Sequence, residues 1–575
     1  MKKLVGIVLL CLMAAALYAV PPMPGSHTTH DGSQLPEINP VPFRSPSRHN
    51  ADSSLQKISP LSTAASGDRN LLIILVNYDD LKFSILGAGA TDEDYKNHYL
   101  DLLQNNTYSM RKYYQDMSGG QLNLTFTVLG PYNLDHNKTY YGENTEKSDG
   151  KKDDKPGNLI HDAISKALDA GHLNAELWAN YADNWDYNND GEIDTIFVIH
   201  AGIGEEEGTD TDALFSQQWN LNSAKKSGRS DYAARSVEFG GKEKTFSSYT
   251  IEPEYNSLGA VKGASIGVFC HEYGHILGLM DLYDTTYVTN GVGYWCLMSF
   301  GNWGSFGAGN TVPGTDPAPL LAWEKYYLGW LNPVTITPTA EPQTFYFSDI
   351  ESSRKTWKIP LNPSGSQYLM LEGKKENSTG TGWYVQEDGL LITHINEDIL
   401  SKYWGNNINI SKTRVHGVDI VESESPYYET TGLGNLWNEP FFMSGIVCFR
   451  NNTKYILVPS YPKAAAGIGL FVSLLLLHRK RKKLGLMLLI CCLACITACD
   501  DVEIFNSSDS GDDNGGIVIP DGDTGFHYVK GQDIPNTNYY ESEDITSKTG
   551  ISGVIITVNC PAGSSSGSFT VMKEK

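Results

Sequence analysis

The sequence has no surplus of positive charge. Its 44 Lys and Arg stand against 67 Asp and Glu, a formal net charge of -23, so the basic footprint that holds a phosphate backbone is missing and nucleic acid is excluded as a partner. Cysteine is sparse as well: of nine, Cys11 lies in the apolar amino-terminal run and Cys491, Cys492, Cys495 and Cys499 crowd one apolar segment. That distribution excludes a disulfide framework. In the tail, no apolar run reaches the roughly 20 residues that a helix needs to cross a bilayer. Ala464 to Leu477 and Leu484 to Ala498 hold 14 and 15 residues, only about 21 to 23 Å of helix, short of the roughly 30 Å hydrocarbon core.

What is present is a metal-binding pattern. His271-Glu272-Tyr273-Gly274-His275-Ile276-Leu277-Gly278-Leu279-Met280-Asp281 reads HExxHxxGxxD within an apolar helical run. On a helix, His271 and His275 stand on one face and reach a single ion, while Glu272 lies beside them to activate a zinc-bound water. Gly278 lets the chain leave the helix and swing Asp281 back as third ligand, which leaves a fourth position to water. A polar helix can carry the two histidines by chance, but Gly278, Asp281 and a downstream Cys296-Leu297-Met298-Ser299 segment of Met-turn type, with Met298 at its centre, remove most of that chance. The pattern predicts a zinc peptidase.

These residues resemble the immune inhibitor A-like family of secreted bacterial metallopeptidases, whose zinc motif is followed by a Tyr-Asp pair, here Tyr283-Asp284. The resemblance extends to Leu72 through Asn77, Tyr113 through Leu122, Phe197 through Gly202 and Leu321 through Trp330, and runs from about residue 70 to about residue 425. One departure is Met280, where such proteins often place proline. The resemblance implies an α/β zincin fold of metzincin-like type, endopeptidase activity on protein or peptide substrates, and zinc as cofactor. It names no particular substrate, and the oligomeric state stays open.

The 575 residues exceed one typical domain. Lys2 and Lys3, the apolar stretch after them and Leu17-Tyr18-Ala19 read as an export signal over residues 1–19. Residues 20–68 then read as a pro-segment or flexible leader. A catalytic domain is expected over 69–333 and a β-rich module over 334–460. Residues 464–498 hold two apolar segments around the basic run His478 to Lys483, followed by an acidic linker at 499–522 and a small β-like segment at 523–575. The basic run belongs in the cytoplasm by the positive-inside rule, with the peptidase and the C-terminal segment outside. Ile496-Thr497-Ala498-Cys499 resembles a bacterial lipoprotein box, which makes Cys499 a lipidation candidate. Membrane association through 464–498 is therefore expected, with the protein exported and either extracellular or anchored at the cell surface. A processing signal and a fusion of two reading frames are the other readings of this tail, and the fusion makes the last segment a separate unit.

A second metal site is suggested at Asp186 to Asp194, where Asp186, Asn188, Asp190 and Asp194 alternate as in a calcium loop and Gly191 permits the sharp turn. Phe197 stands where a bidentate Glu belongs, so this is no EF-hand, and a solvated acidic turn is the competing reading. Glu205, Glu206 and Glu207 read as a solvated loop, and His200 as a structural histidine. Cys270 and Cys296 read as two buried thiols in preference to a disulfide. Tyr283 and Tyr294 are candidates for an oxyanion helper, and Glu324 is the next ligand to consider after Asp281. Two other functions remain open: a surface adhesion protein that retains the fold without turnover, and a metal hydrolase acting on a non-peptide bond. The intact Glu272 argues against the first, since a binding module needs no general base.

Overall fold

The computed structural model describes residues 18–19, 65–420 apart from short gaps at 148–149, 209, 259–260, 286–290, 306–311, 378–381, 386–387, 404–407 and 410–415, and then 554–559 and 565–573. Most of the export signal, most of the leader, residues 464–498 and Cys499 lie outside the described residues.

The catalytic region is built on a six-stranded mixed sheet. Its strands are β1 (Tyr18–Ala19), β2 (Gly67–Asn77), β3 (Leu122–Asn133), β4 (Ile196–His200), β5 (Gln217–Asn220) and β6 (Ser248–Pro253), in the spatial order β1-β5-β6-β4-β2-β3. The neighbours β3, β2, β4 and β6 run parallel. Leu71 to Val76 is buried along its whole length, as a central parallel strand covered on both faces must be. Antiparallel β5 borders β6, and β1 pairs antiparallel on the outside of β5, Tyr18 opposite Gln218. The residues read as the end of the export signal therefore sit on this edge.

The charged and aromatic spacing from Asp92 to Tyr114 predicts one helix, and the structure contains two. Helix α1 (Asp92–Leu100) starts from a capping box in which Thr91 and Asp94 each accept from the other's backbone, and it runs into a wide turn at Asp101–Asn105. Helix α2 (Met110–Ser118) starts afresh with Ser109 as N-cap and ends at Gly119 with φ 65°. The polar Asn105-Asn106-Thr107 stretch explains the break, because such side chains favour caps and turns over helix interiors. Helices α3 (Pro156–Asp169) and α4 (Ala175–Trp185) follow. Then comes α5 (Gly267–Ile276), buried on every side. Tyr273 on α5 meets Phe197 of β4, and the Tyr114 hydroxyl donates to the Cys270 carbonyl at 2.5 Å. These contacts set the helix against the sheet through Phe197 and against α2 through Tyr114.

After α6 (Ala322–Tyr327) the described chain is mostly strand and makes up a β-rich module. Strands β7 (Val334–Thr335), β9 (Thr356–Pro360), β10 (Gln367–Lys374), β11 (Gly389–Asn396) and β12 (Val418–Ile420) make one sheet, with β8 (Gln343–Phe347) outside it. That strand joins a second sheet with β13 (Val554–Asn559) and β14 (Gly567–Lys573), in the order β8-β14-β13. The described part of the segment placed at 523–575 is thus paired into this module. Among the described residues no helix is long and apolar enough to cross a membrane.

Candidate metal centre

Three side chains converge at the end of α5. His271 and His275 lie one turn apart, and their Nε2 atoms are 3.1 Å from each other. Gly278, at φ 96°, turns the chain out of the helix, and Asp281 returns with Oδ1 at 3.1 Å from His271 Nε2 and 3.3 Å from His275 Nε2. All three are buried. The carbonyls of Leu297 and Leu279 lie 3.0 and 3.1 Å from the Nδ1 atoms of His271 and His275. A carbonyl only accepts, so each Nδ1 carries the proton and each Nε2 presents a lone pair. Two lone pairs and a carboxylate oxygen facing one another in a buried space repel unless a cation lies between them. Zinc fits: ligands about 2.0–2.1 Å from a tetrahedral ion lie about 3.4 Å apart, near the distances found.

The floor of the site is made by contacts remote in sequence. Met298 is buried, and a Cβ placed on Gly274 would come within 2.5 Å of its Sδ. The methionine therefore lies against the helix between the two histidines, while the neighbouring Leu297 carbonyl orients His271. A glycine inside a helix costs roughly 1 kcal/mol relative to alanine, and that cost was the sequence signal that another group approaches here. Gly274→Ala is expected to lower the unfolding free energy by about 1–3 kcal/mol, as overpacking a closed site does. A denaturant midpoint equal to or above that of the parent would show that Met298 can yield.

Glu272 is buried on the same helix turn as the two histidines. Tyr283 and Tyr294 are buried in an aromatic cluster with Val268 of α5, Phe300 and Trp303. Glu324 is not part of the ligand group: its carboxylate accepts from the Cys296 thiol at 3.1 Å and the Leu321 amide at 2.7 Å, and burial raises it to about 7. Cys270 and Cys296 are buried free thiols. His200 bonds the Ala201 carbonyl through Nδ1 and is buried. Among the described residues, His271, His275 and Asp281 are the one group of three or more His, Cys, Asp or Glu placed to share a metal ion.

The residues of the acidic loop do not form such a group. Asp186 accepts from the amides of Asp190 and Gly191, each at 3.0 Å, and is ion-paired with Lys244. Asp194 accepts from the Tyr187 amide and, at 3.1 Å, from the Asn188 side chain. Burial, with Asp190 and Asp186 nearby, pushes Asp194 up to about 7. The expectation of a solvated loop at Glu205 to Glu207 is corrected. Glu206 is buried and accepts from Ser216, and Glu207 is buried and accepts from the Ser257 amide and hydroxyl. A run of three glutamates gives no local sign of such serine partners, since these come from distant strands and loops.

A mixed α/β domain with a buried His-His-Asp centre and a glutamate beside it defines a metallopeptidase type of catalytic domain. Residues 63–331 match the family described as immune inhibitor A peptidase M6, catalytic domain. It is 31% identical over 294 residues to immune inhibitor A of Bacillus thuringiensis subsp. alesti, covering 46% of this chain and 41% of that protein. It is 33% identical over 298 residues to the pre-pro-metalloprotease PrtV of Vibrio cholerae serotype O1, covering 46% of this chain and 30% of that protein. The match thus spans less than half the length of either relative.

Proposed function

We propose that this protein is an exported, zinc-dependent endopeptidase of metzincin-like architecture that hydrolyses peptide bonds in protein substrates. The observation that carries the reading is the convergence of His271 Nε2, His275 Nε2 and Asp281 Oδ1, with Glu272 on the same helix turn. Zinc held there would lower the pKa of a water and polarise a peptide carbonyl. Glu272 takes the proton from the attacking water and returns it to the leaving nitrogen. Burial of the site strengthens each of these electrostatic effects. Tyr283 and Tyr294 are the candidates for stabilising the oxyanion, and attachment to a membrane is assigned to residues 464–498.

The test is casein hydrolysis by the purified protein, with its zinc content measured on the same sample. Hydrolysis should disappear with a chelator and return when zinc is added back. Zinc-loaded protein without hydrolysis would favour the binding-protein reading, and hydrolysis indifferent to chelation would remove zinc from the mechanism.

We also propose a structural calcium ion at Asp186, Asn188, Asp190 and Asp194. Its support is the alternation of oxygen side chains with Gly191 at the sharp turn, which resembles a calcium loop; Lys244 already supplies one positive charge to Asp186. Calcium is expected to raise the melting temperature, since an ion bound only by the folded state at 1,000 times its Kd contributes about 4 kcal/mol. Asp190→Ala should abolish the shift. A melting temperature indifferent to calcium would leave an acidic turn held by Lys244.

A further inference from the structure

Strand β8 has one partner among the described residues, β14, which lies more than 200 positions later in the chain. Five residue pairs join them, from Gln343 opposite Val571 to Phe347 opposite Gly567, and β14 pairs in turn with β13. The join is apolar as well as hydrogen-bonded. Phe569 is fully buried, with its ring stacked on Phe345 at 5.4 Å and edge-on to Trp357 at 5.0 Å. Val554, Ile556 and Val571 are buried in the same core as Leu369 and Leu371 of β10. At its far end the Lys573 amide donates to the Thr339 carbonyl at 2.7 Å. Without this hairpin β8 would be a lone strand and one face of the β-rich sheet would lie open, which sheets of this size do not tolerate in water.

We infer that the C-terminal hairpin Val554–Lys573 is a docking element in its own right, which clasps the β-rich module through strand pairing and the Phe569 core and does not depend on chain continuity to stay there. A cut anywhere between residues 421 and 553, including one ahead of Cys499, leaves the C-terminal fragment bound to the peptidase. A second consequence concerns the apolar runs at 464–498. Residues 420 and 554 belong to one module and lie on one side of any bilayer, so the chain between them crosses it an even number of times or not at all. A hairpin of strands with alternating apolar residues is the kind of partner that an open sheet edge accepts.

The test uses the full-length chain with a C-terminal affinity tag and a specific protease site placed within residues 507–516. The chain is cut after folding, in detergent, and captured on the tag under native conditions. The large N-terminal fragment is expected to be retained in proportion to the tagged piece and to be released by denaturant. Phe569→Asp, which puts a charge into the core, should lower retention at least about 10-fold, equivalent to about 1.4 kcal/mol. Tyr346→Asp, on the same strand pair but 76% exposed, should leave retention unchanged and serves as the control. Loss of the large fragment to the flow-through after the cut, or equal retention with Phe569→Asp, would overturn the inference.

Discussion

Replacing Glu272 by glutamine is expected to leave zinc bound and to lower peptidase activity by about 10²- to 10⁴-fold, the usual contribution of a positioned general base. Glutamine keeps the size of the side chain and fills the same buried space, so the ligands on either side of it, His271 and His275, keep their geometry. What it loses is the capacity to take a proton. The separation of effects is the diagnostic point: zinc content and melting temperature should match the parent while turnover collapses. Turnover retained in Glu272→Gln would sink the assignment of this residue as base, whatever the metal does.

Removal of His275 should have the opposite signature. His275→Ala deletes one of the three converging atoms and leaves Asp281 buried with a single imidazole neighbour, His271. A buried carboxylate that loses a charge partner is costly, so the metal and the local fold both suffer. Zinc is expected to fall from about one ion per chain to near zero at ordinary concentrations, because a tetrahedral site with two protein ligands holds zinc poorly. The melting temperature should drop toward that of the chelated parent, since a bound ion stabilises only the state that forms its site. Metal analysis after gel filtration checks this, and stoichiometric zinc in the variant would refute the ligand set. Asp281→Asn should show a weaker form of the same loss. Glu324 cannot replace it without first leaving Cys296 and the Leu321 amide.

Much of the centre was legible in the chain because its chemistry is local. His271, Glu272, His275, Gly278 and Asp281 fall within eleven consecutive residues, and helical geometry plus one glycine turn is enough to bring them together. The buried run Leu71 to Val76 was equally readable, since a parallel strand covered on both faces shows itself by unbroken apolar character. The single helix expected over Asp92 to Tyr114 failed where capping residues outweighed periodicity. Glu206 and Glu207 failed for a different reason: acidic residues are solvated by default, and only the approach of Ser216 and Ser257 reverses that.

By itself, then, the sequence determined which candidate metal-ligating side chains this protein carries and on which helix, because ligand spacing is a property of neighbouring residues. Tertiary structure alone decided what holds that chemistry in place. The Leu297 carbonyl on His271, Met298 against Gly274, the Cys296 thiol on Glu324 and the return of Phe569 to Trp357 all join residues 24 to 212 positions apart. Such contacts arise from the packing of whole elements, and neither local propensity nor hydrophobic period specifies which distant partner fills a given gap.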